Sequence, residues 1–188
     1  PGQPPMQVTA AGYNDNFRTA IAADAENRLW VVWSSKGTGR WGLYGRWWRG
    51  GQWSEVERLT GNDGPNVYHA LVADAQGRLH LVWQGFRQGR WQILHKRWDG
   101  KQWSGEAVVS QGPGDHWLPA AATDSKGNVW IGWDSYQNGN FDVYVRRLSA
   151  SGQAGAPIPV TRSAGFDANV SLAVDRADRL WISWDAGD

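Results

Sequence analysis

The feature that most limits the fold of this chain is an internal repeat of about fifty residues. Four aspartates are separated by 50, 50 and 51 residues, and four tryptophans keep the same intervals beside them. They are Asp24, Asp74, Asp124 and Asp175, with Trp33, Trp83, Trp133 and Trp184. Of the 15 tryptophans, all but Trp47 and Trp117 fall on this ladder. A chain made of copies of one unit buries its apolar surface between neighbouring copies, so the repeat predicts stacked units.

The second copy shows most clearly what one unit is. Residues 68–73, 79–84, 91–98 and 103–110 have the composition of strands, and Gly-rich or Asp-Gly turns separate them. The segment 79–84 is apolar at successive positions, which indicates that both of its faces are covered. A four-stranded antiparallel unit covered on both faces needs a neighbour on each side, and a β-propeller supplies that. We therefore predict an all-β fold, a β-propeller or propeller fragment with three complete blades and a partial fourth.

The repeat also gives the expected boundaries within a single propeller unit spanning 1–188. The expected segments are an isolated outer strand (5–10), blade 1 (16–60), blade 2 (66–110), blade 3 (116–161) and a partial blade 4 (167–188). Blade 4 has no third strand within the sequence. We expect either the N-terminal segment Met6–Thr9 or a second copy of the chain to cover it, because proteins seldom leave a strand edge bare.

Composition excludes several classes of function. With 19 basic and 18 acidic side chains the net charge is +1, so nucleic-acid partners are not expected. No apolar run approaches the length of a membrane helix, and no membrane partner is expected. The absence of cysteine removes thiol chemistry and cysteine metal sites, and the four histidines are not spaced as a metal-binding set. No cofactor and no metal are expected, and the cellular compartment stays open.

The repeated pattern also resembles known propellers. Asp-x-x-Gly-[Arg/Asn]-[Leu/Val]-[Trp/His]-[Leu/Ile/Val]-x-Trp is similar to the blades of sialidase-like and TolB-like propellers of exported bacterial proteins, which implies an exported location. The segments 133–142 and Phe166-Asp-Ala-Asn169 resemble propeller repeats that precede a PHP-type metallohydrolase domain, which implies an accessory role. The chain departs from the sialidase Asp-box, Ser-x-Asp-x-Gly-x-Thr-Trp. The step from Asp74 to Gly77 is one residue longer, and Leu79 stands where threonine is expected.

Comparison among the copies separates candidate site residues from structural ones. A residue present in every copy, such as the turn aspartates, is expected to hold the blade together. Trp117 lies outside the ladder, on a loop that leads into an innermost strand. We expect one rim of the propeller to gather aromatic, amide, carboxylate and guanidinium groups suited to a sugar ring. The candidates are Asn16, Tyr68, His69, Phe86, Arg87, His116, Trp117, Asp134 and Tyr136.

These residues favour a non-catalytic binding or interaction module, with a glycan or a protein as partner, that forms part of a larger protein. No catalytic residue is assigned, because the rim offers no clear pair of carboxylates and too few arginines for a sialidase. Two alternatives stay open: a portion of a sialidase-like glycoside hydrolase, and an engineered or excised repeat scaffold without a ligand. Assembly into a homo-oligomer through the incomplete fourth blade is also expected.

Overall fold

The computed structural model is an all-β propeller unit, which confirms the predicted fold class. It describes residues 5–9, 15–37, 39–61 and 63–187. Three complete antiparallel blades follow one another along the chain, and a two-stranded fourth blade comes last. Among the described residues no helix is long and apolar enough to cross a membrane.

Each complete blade has three long strands and a short fourth strand that is split into two contacts with the third. Blade 1 consists of β1 (Asn16–Ala23), β2 (Leu29–Ser35), β3 (Gly42–Arg49), β4 (Gln52–Trp53) and β5 (Glu57–Arg58). Blade 2 consists of β6 (Asn66–Ala73), β7 (Leu79–Arg87), β8 (Arg90–Trp98) and β9 (Ala107–Val108). Blade 3 consists of β10 (Asp115–Thr123), β11 (Val129–Gln137), β12 (Asn140–Leu148) and β13 (Ile158–Pro159). Blade 4 consists of β14 (Phe166–Val174) and β15 (Leu180–Gly187).

The repeated aspartates close the hairpin between the first and second strands of each blade. Asp24 Oδ1 accepts hydrogen bonds from the backbone N–H groups of Glu26 (2.9 Å) and Arg28 (3.0 Å). Its Oδ2 accepts from the Arg28 guanidinium (2.6 Å) and the Trp30 indole (3.1 Å). Burial raises the pKa of Asp24, but these hydrogen bonds outweigh burial and the pKa is lowered overall. The prediction that the turn aspartates are structural is confirmed.

Blade 2 contains a variation on this turn, since His80 replaces the tryptophan. His80 Nε2 lies 3.1 Å from Asp74 Oδ2, and its Nδ1 lies 2.9 Å from His95 Nε2. The two imidazole rings stack at 5.2 Å. A pair of hydrogen-bonded histidines therefore takes the position that an indole holds in blade 1.

The second strands of the three complete blades form the core, and β7 shows how a different blade buries each face of such a strand. Leu79, Leu81 and Trp83 of β7 pack with Trp30 and other blade 1 residues in one cluster. Val82 of the same strand belongs to a second cluster shared with blade 3. This arrangement explains the uninterrupted apolar run in the sequence, since neither face of the strand meets water.

Side-chain hydroxyl groups complete the pairing of the third strands. Thr60 Oγ1 accepts from the Leu43 N–H (3.0 Å), and Ser110 Oγ accepts from the Ile93 N–H (3.0 Å). In blade 3, Thr161 Oγ1 accepts from the Val143 N–H at 2.9 Å. The hydroxyl residues that follow each fourth strand thus satisfy a backbone donor that the short strand leaves unpaired.

The N-terminal segment differs from what the sequence predicted. Residues 5–9 form no strand, and residue 10 lies outside the described residues. Val8 packs against Val31, Trp33 and Tyr44 of blade 1. The expectation that Met6–Thr9 covers the fourth blade is therefore wrong, because this segment covers an apolar face of blade 1 instead. Coverage of the fourth blade by a second copy stays a prediction.

Blade 4 is open on the side where a third strand lies in the other blades. Among the described residues β15 pairs with β14 alone. Trp184 is 39 % exposed, whereas Trp133 at the same repeat position is 1 % exposed. The same residue type thus occupies a core position in blade 3 and a partly solvated position in blade 4.

This difference predicts unequal effects of one substitution. Trp133→Ala should lower the free energy of unfolding by about 3–5 kcal/mol, because it leaves a cavity between blades 2 and 3. Trp184→Ala should lower it by less, because over a third of that side chain already meets water. Urea unfolding monitored by circular dichroism measures both losses. Equal losses of unfolding free energy in the two variants would contradict the expectation that Trp133 stabilises the protein more than Trp184 does.

Candidate functional site

Every first strand carries a β-bulge at the same repeat position. The register of pairing shifts at residue 18 in blade 1 and at residue 68 in blade 2, with wider shifts at 118–119 and 169–170. One residue in each bulge has a left-handed backbone: Arg18 (φ 49°), Tyr68 (48°), Leu118 (46°) and Asn169 (61°). Such conformations are uncommon for residues other than glycine and are held by their surroundings. Bulges re-aim side chains, and three of these four residues, Arg18, Leu118 and Asn169, line one hollow.

A side chain from the preceding blade holds two of these bulges in place. Asp134 Oδ2 accepts the Asn169 N–H at 2.8 Å, and its Oδ1 accepts the Val170 N–H at 3.2 Å. Gln84 Oε1 accepts the Leu118 N–H at 3.2 Å. Gln84 follows Trp83, and Asp134 follows Trp133. In blades 2 and 3, the residue after the ladder tryptophan therefore links its own blade to the first strand of the next blade.

A cavity of about 320 Å³ lies where blades 2, 3 and 4 meet at this rim. It is lined by Tyr68, Trp117, Leu118, Asp134, Phe141, Phe166, Ala168 and Asn169. Four aromatic side chains therefore line the same cavity as the Asn169 side chain and one buried carboxylate. We call this the rim cavity.

The aromatic walls of the rim cavity are braced from behind by other rings. Trp117 packs on Trp91 with ring centroids 5.6 Å apart. Phe141 lies 5.4 Å from Phe166 and 4.8 Å from Tyr136. Phe166 keeps 45 % of its surface exposed. Rings held in this way present a rigid apolar surface with little loss of conformational entropy on binding.

The polar groups of the rim cavity are acidic or neutral. Asp134 is buried, and burial raises its pKa although the Asn169 and Val170 N–H groups favour the charged form. The Asn169 side chain donates to Asp185 Oδ2 at 2.9 Å. Of the described residues that line the cavity, none is basic. Arg18 lies nearby, with its guanidinium carbon 5.6 Å from the Tyr68 ring centroid.

A second hollow of about 410 Å³ lies against three of the same bulges. Arg18, Leu118 and Asn169 line it together with small residues of the first strands, among them Ala70 and Ala120. Leu118 and Asn169 therefore separate this hollow from the rim cavity. Within the described part of the chain, no group of three or more His, Cys, Asp or Glu side chains could hold a metal ion.

The structure brings together three of the nine residues chosen from the sequence. Tyr68, Trp117 and Asp134 line the rim cavity. Tyr136 stands behind the wall of the cavity, against Phe141. Asn16 is an exposed residue at the start of β1.

Phe86 and Arg87 lie elsewhere on the rim. The Phe86 ring packs on Trp91 at 5.4 Å. The Arg87 guanidinium donates to Asn66 Oδ1 and to Glu106 Oε2, each at 2.8 Å. An arginine held by these two partners supports the loop of blade 2 and does not enter the rim cavity.

The two histidines of the predicted rim are buried and do not face it. His69 has its Nε2 3.1 Å from the Val32 carbonyl and its Nδ1 3.4 Å from Ser34 Oγ, so it joins blades 1 and 2. Burial lowers the pKa of His69 to about 4. His116 is also buried, and its ring meets Trp133 edge-on at 6.2 Å. Their expected role as ligand-contacting residues does not fit this burial.

Sequence reasoning did not select five of the residues that line the cavity: Leu118, Phe141, Phe166, Ala168 and Asn169. Phe141 lies at the repeat position of Trp41 and Trp91 and was noted only within the segment 133–142 of the resemblance. Phe166 and Asn169 were noted only as part of a resemblance. The available signal was that Phe166 and Asn169 differ from their counterparts in the other copies.

His116 also breaks a hydrogen bond that the repeat makes elsewhere. At the same position, Asn66 Oδ1 accepts from the Trp83 indole (2.8 Å) and Asp167 Oδ1 accepts from the Trp184 indole (2.9 Å). In blade 3 the Trp133 indole nitrogen has no hydrogen-bond partner among the described residues, because the His116 ring does not accept from it. Burial and then the charge of Arg90 lower the pKa of His116 to about 4.

The comparisons with known proteins find similarity in structure but no match in sequence. No family model matches the chain, and no curated protein sequence matches it. A Hadza microbial sialidase has a TM-score of 0.70 at 10 % identity, over 92 % of this chain and 42 % of its own. A Dyadobacter fermentans protein of unknown function has 0.74 at 12 %, over 97 % and 60 %. An endo-arabinase from Bacteroides thetaiotaomicron has 0.62 at 16 %, over 95 % and 74 %.

These likenesses confirm the predicted resemblance to sialidase-like propellers at the level of the fold. The chain spans 42 % and 60 % of the first two structures, respectively. The resemblance to propellers that precede a PHP-type domain stays a prediction.

The unpaired indole in blade 3 leads to a test by substitution. His116→Asn should stabilise the protein by about 1 kcal/mol at pH 7.5, because the amide oxygen can accept the Trp133 N–H as in blade 2. The gain should grow as the pH falls from about 6.5 towards 4. In that range the unfolded histidine takes up a proton that the folded one, with its lowered pKa, does not, so wild type loses stability.

The matched control is His69→Asn, which removes a histidine that already has partners. That variant should be less stable than wild type at pH 7.5. Thermal unfolding at pH 7.5 and 5.0 measures both variants. A gain for His116→Asn that does not change with pH would contradict the lowered pKa.

Proposed function

We propose that this chain is a binding module for neutral carbohydrate and that the ligand occupies the rim cavity. The observation that carries the proposal is that Tyr68, Trp117, Phe141 and Phe166 line the same cavity as Asn169. Aromatic faces stack on the C–H faces of a sugar, and an amide can donate to and accept from hydroxyl groups.

The size of the cavity favours a small ligand. Ligand pockets in proteins commonly span about 300–1,000 Å³. A volume of about 320 Å³ is at the small end of that range, which favours one sugar residue or the terminus of a glycan.

The charges around the cavity favour a neutral sugar over sialic acid or a uronate. Asp134 lines it, and Asp185 holds the Asn169 side chain. A sugar carboxylate would be repelled by these groups, and no arginine or lysine among the described lining residues would offset that repulsion.

The contacts of Asp134 favour binding over hydrolysis. Each of its carboxylate oxygens accepts a backbone N–H of blade 4, so the group is held in a structural role. Glycoside hydrolysis commonly needs a second carboxylate across the scissile bond, and Asp134 is the only acidic residue among the described residues that line the cavity.

The structural neighbours support a carbohydrate-related role without deciding between binding and catalysis. The names of two of them, a sialidase and an endo-arabinase, describe proteins that act on carbohydrates. A portion of a glycoside hydrolase is the second candidate, and the raised pKa of Asp134 beside an aromatic cavity is the observation that favours it.

Binding to an array of neutral and acidic oligosaccharides tests the proposal. Wild type should bind neutral glycans, and Phe166→Ala should weaken that binding about tenfold, equivalent to about 1.4 kcal/mol. Phe166 is more suitable than Trp117 for this test, because Trp117 is half-buried on Trp91 and its removal also alters packing.

Ile158→Ala serves as the control, since it removes an exposed apolar side chain of blade 3 that lies outside the cavity. This variant should bind like wild type. Binding to acidic glycans alone, or binding unchanged by Phe166→Ala, would move the site elsewhere. No binding to the array would favour a scaffold or a protein partner, and glycosidase turnover would favour the hydrolase.

A further inference from the structure

Blade 2 has two histidines at positions where blades 1 and 3 have side chains that do not titrate. His80 holds the repeat position of Trp30 in blade 1, and His95 holds that of Gly45. The corresponding residues of blade 3 are Trp130 and Val145. We call His80 and His95 the histidine pair.

The histidine pair lies on the face of blade 2 that meets blade 3. On β7, His80 is two residues from Val82, so both side chains point to the same face of the sheet. Val82 shares a buried cluster with Val129 and Ile131 of blade 3. His95 pairs with Val82 across the strands, and its ring stacks on that of His80 at 5.2 Å. The pair therefore belongs to the interface between blades 2 and 3.

The hydrogen bonds of the pair determine which ring nitrogens carry protons at neutral pH. Burial raises the pKa of Asp74, but its hydrogen bonds to His80 and Arg78 lower the pKa overall, so this carboxylate is ionised and accepts. His80 Nε2, at 3.1 Å from Asp74 Oδ2, is therefore protonated. His80 Nδ1 is then an acceptor, so His95 Nε2, at 2.9 Å from it, is protonated as well.

One nitrogen of this network is left to take a further proton. His95 Nδ1 has no hydrogen-bond partner among the described residues, whereas the other three ring nitrogens of the pair are engaged. His95 is half-buried, and His80 is buried. A proton added to the network therefore goes to His95 Nδ1 and makes that ring an imidazolium.

The charges of blade 2 do not favour an imidazolium at this place. Those that act on the two rings belong to Asp74, Arg78 and Arg97. Asp74 is already paired with Arg78 at 2.6 Å. Burial, and then the positive charges of His80 and Arg97, lower the pKa of His95 to about 3. The pKa of His80 is also lowered, because burial outweighs the attraction of Asp74.

The groups of blade 3 that meet this part of blade 2 offer no new partner of opposite charge among the described residues. Thr123 Oγ1 donates to the Ala73 carbonyl at 2.9 Å. The Ala150 carbonyl accepts from Arg78 Nη1 at 3.0 Å. Asp124, the turn aspartate of blade 3, is bound to its own turn.

The interface between blades 2 and 3 also lacks aromatic packing that the preceding interface has. Between blades 1 and 2, the ring of Trp30 lies 4.9 Å from that of Trp98 and 5.5 Å from that of Trp103. Leu148 and Ala154 hold the positions of these two partners in blade 3. Smaller side chains therefore close the interface beside the histidine pair.

We propose that the histidine pair is a proton-binding site that opens the contact between blades 2 and 3 in mild acid. The closed contact keeps His95 neutral, and the open contact lets water reach its Nδ1. Tyr68 of blade 2 and Trp117 of blade 3 both line the rim cavity, so this opening also changes the shape of that cavity.

Acid favours the open form because only that form takes up the proton readily. The pKa of His95 is about 3 in the closed contact, whereas an exposed histidine titrates at about 6.5. Protons therefore have little effect above about pH 6.5, and the contact is lost progressively as the pH falls from there towards 3. Between pH 7.5 and 5.0 the opening constant should rise about thirtyfold through His95.

Thiol labelling measures this opening, since the chain contains no cysteine of its own. Val82→Cys places a thiol in the contact between blades 2 and 3, and Leu71→Cys places one in the contact between blades 1 and 2. The reagent is 4,4′-dithiodipyridine, which reacts with thiols in mild acid. Each rate is divided by that of a cysteine peptide at the same pH, so the pH dependence of the thiol itself cancels.

In the Val82→Cys chain, the rise in labelling from pH 7.5 to 5.0 should become about thirtyfold smaller when His95→Gln is added. Glutamine keeps a donor for His80 Nδ1 but has no basic nitrogen. His80→Trp with His95→Gly, which restores the residues of blade 1, should make the rise smaller still. The rise in the Leu71→Cys chain should not change with His95→Gln.

The matched control is His69→Gln, which removes a buried histidine of similarly low pKa from the contact between blades 1 and 2. It should leave the acid response of the Val82→Cys chain unchanged and reduce that of the Leu71→Cys chain. Circular dichroism at both pH values checks that each variant is folded, and the two ways of replacing His95 keep the test open if one of them fails to fold.

Three results would overturn the proposal. The first is an equal acid response of the Val82→Cys chain with and without His95→Gln. The second is an equal effect of His95→Gln on the two thiols, which would show that acid acts on the whole fold. The third comes from nitrogen NMR of the imidazoles: a native His95 that titrates near its ordinary pKa, or that carries its proton on Nδ1 at pH 7.5.

Discussion

The burial of both faces of the second strands in the three complete blades is the constraint on which the rest of the structure depends. In β7, Leu79 and Leu81 face blade 1, and Val82 faces blade 3. In an isolated blade both apolar faces of such a strand would be exposed to water, which is unfavourable. The blades are therefore stable only as neighbours, and the first and last blades differ from the middle ones for that reason.

The hairpin turns and the contacts at the bulges fix the positions of the strands within a blade and of one blade relative to the next. The carboxylate of Asp24 or Asp74 binds the turn backbone and the side chain six residues later, so it fixes the second strand relative to the first. The bulge then breaks the regular pairing at the inner end of the first strand. Gln84 and Asp134 hold the bulges of the blades that follow them. The rim cavity is the space between these fixed points, which is why three different blades line it.

Residues that depart from the repeat make contacts that the equivalent residues of the other copies do not make. His116 leaves the Trp133 indole without the acceptor that Asn66 gives to Trp83. Phe166 and Asn169 add a ring and an amide at the rim. A buried polar group without a partner costs stability, so the histidine in blade 3 is not explained by packing alone.

Much of the candidate site could be anticipated from the repeat, and the remainder depended on three-dimensional detail. Trp117, Tyr68 and Asp134 were found because they differ among copies and follow or precede strands that end on one rim. The same reasoning placed His69 and His116 there, although both side chains are buried. Alternation along a strand decides which neighbours share a face, but a bulge moves that alternation by one residue, and nothing in the sequence marked its position.

The sequence by itself determined the number of blades, their order, and the burial of the second strands. A period of about fifty residues and an uninterrupted apolar run allow few other arrangements of strands. Only the tertiary structure decided that residues 5–9 lie on blade 1 and that Phe141, Phe166 and Asn169 line one cavity with Trp117. Both outcomes depend on contacts between residues far apart in the chain. A local pattern of residues specifies each strand, whereas the packing of whole blades decides which side chains of different blades come into contact.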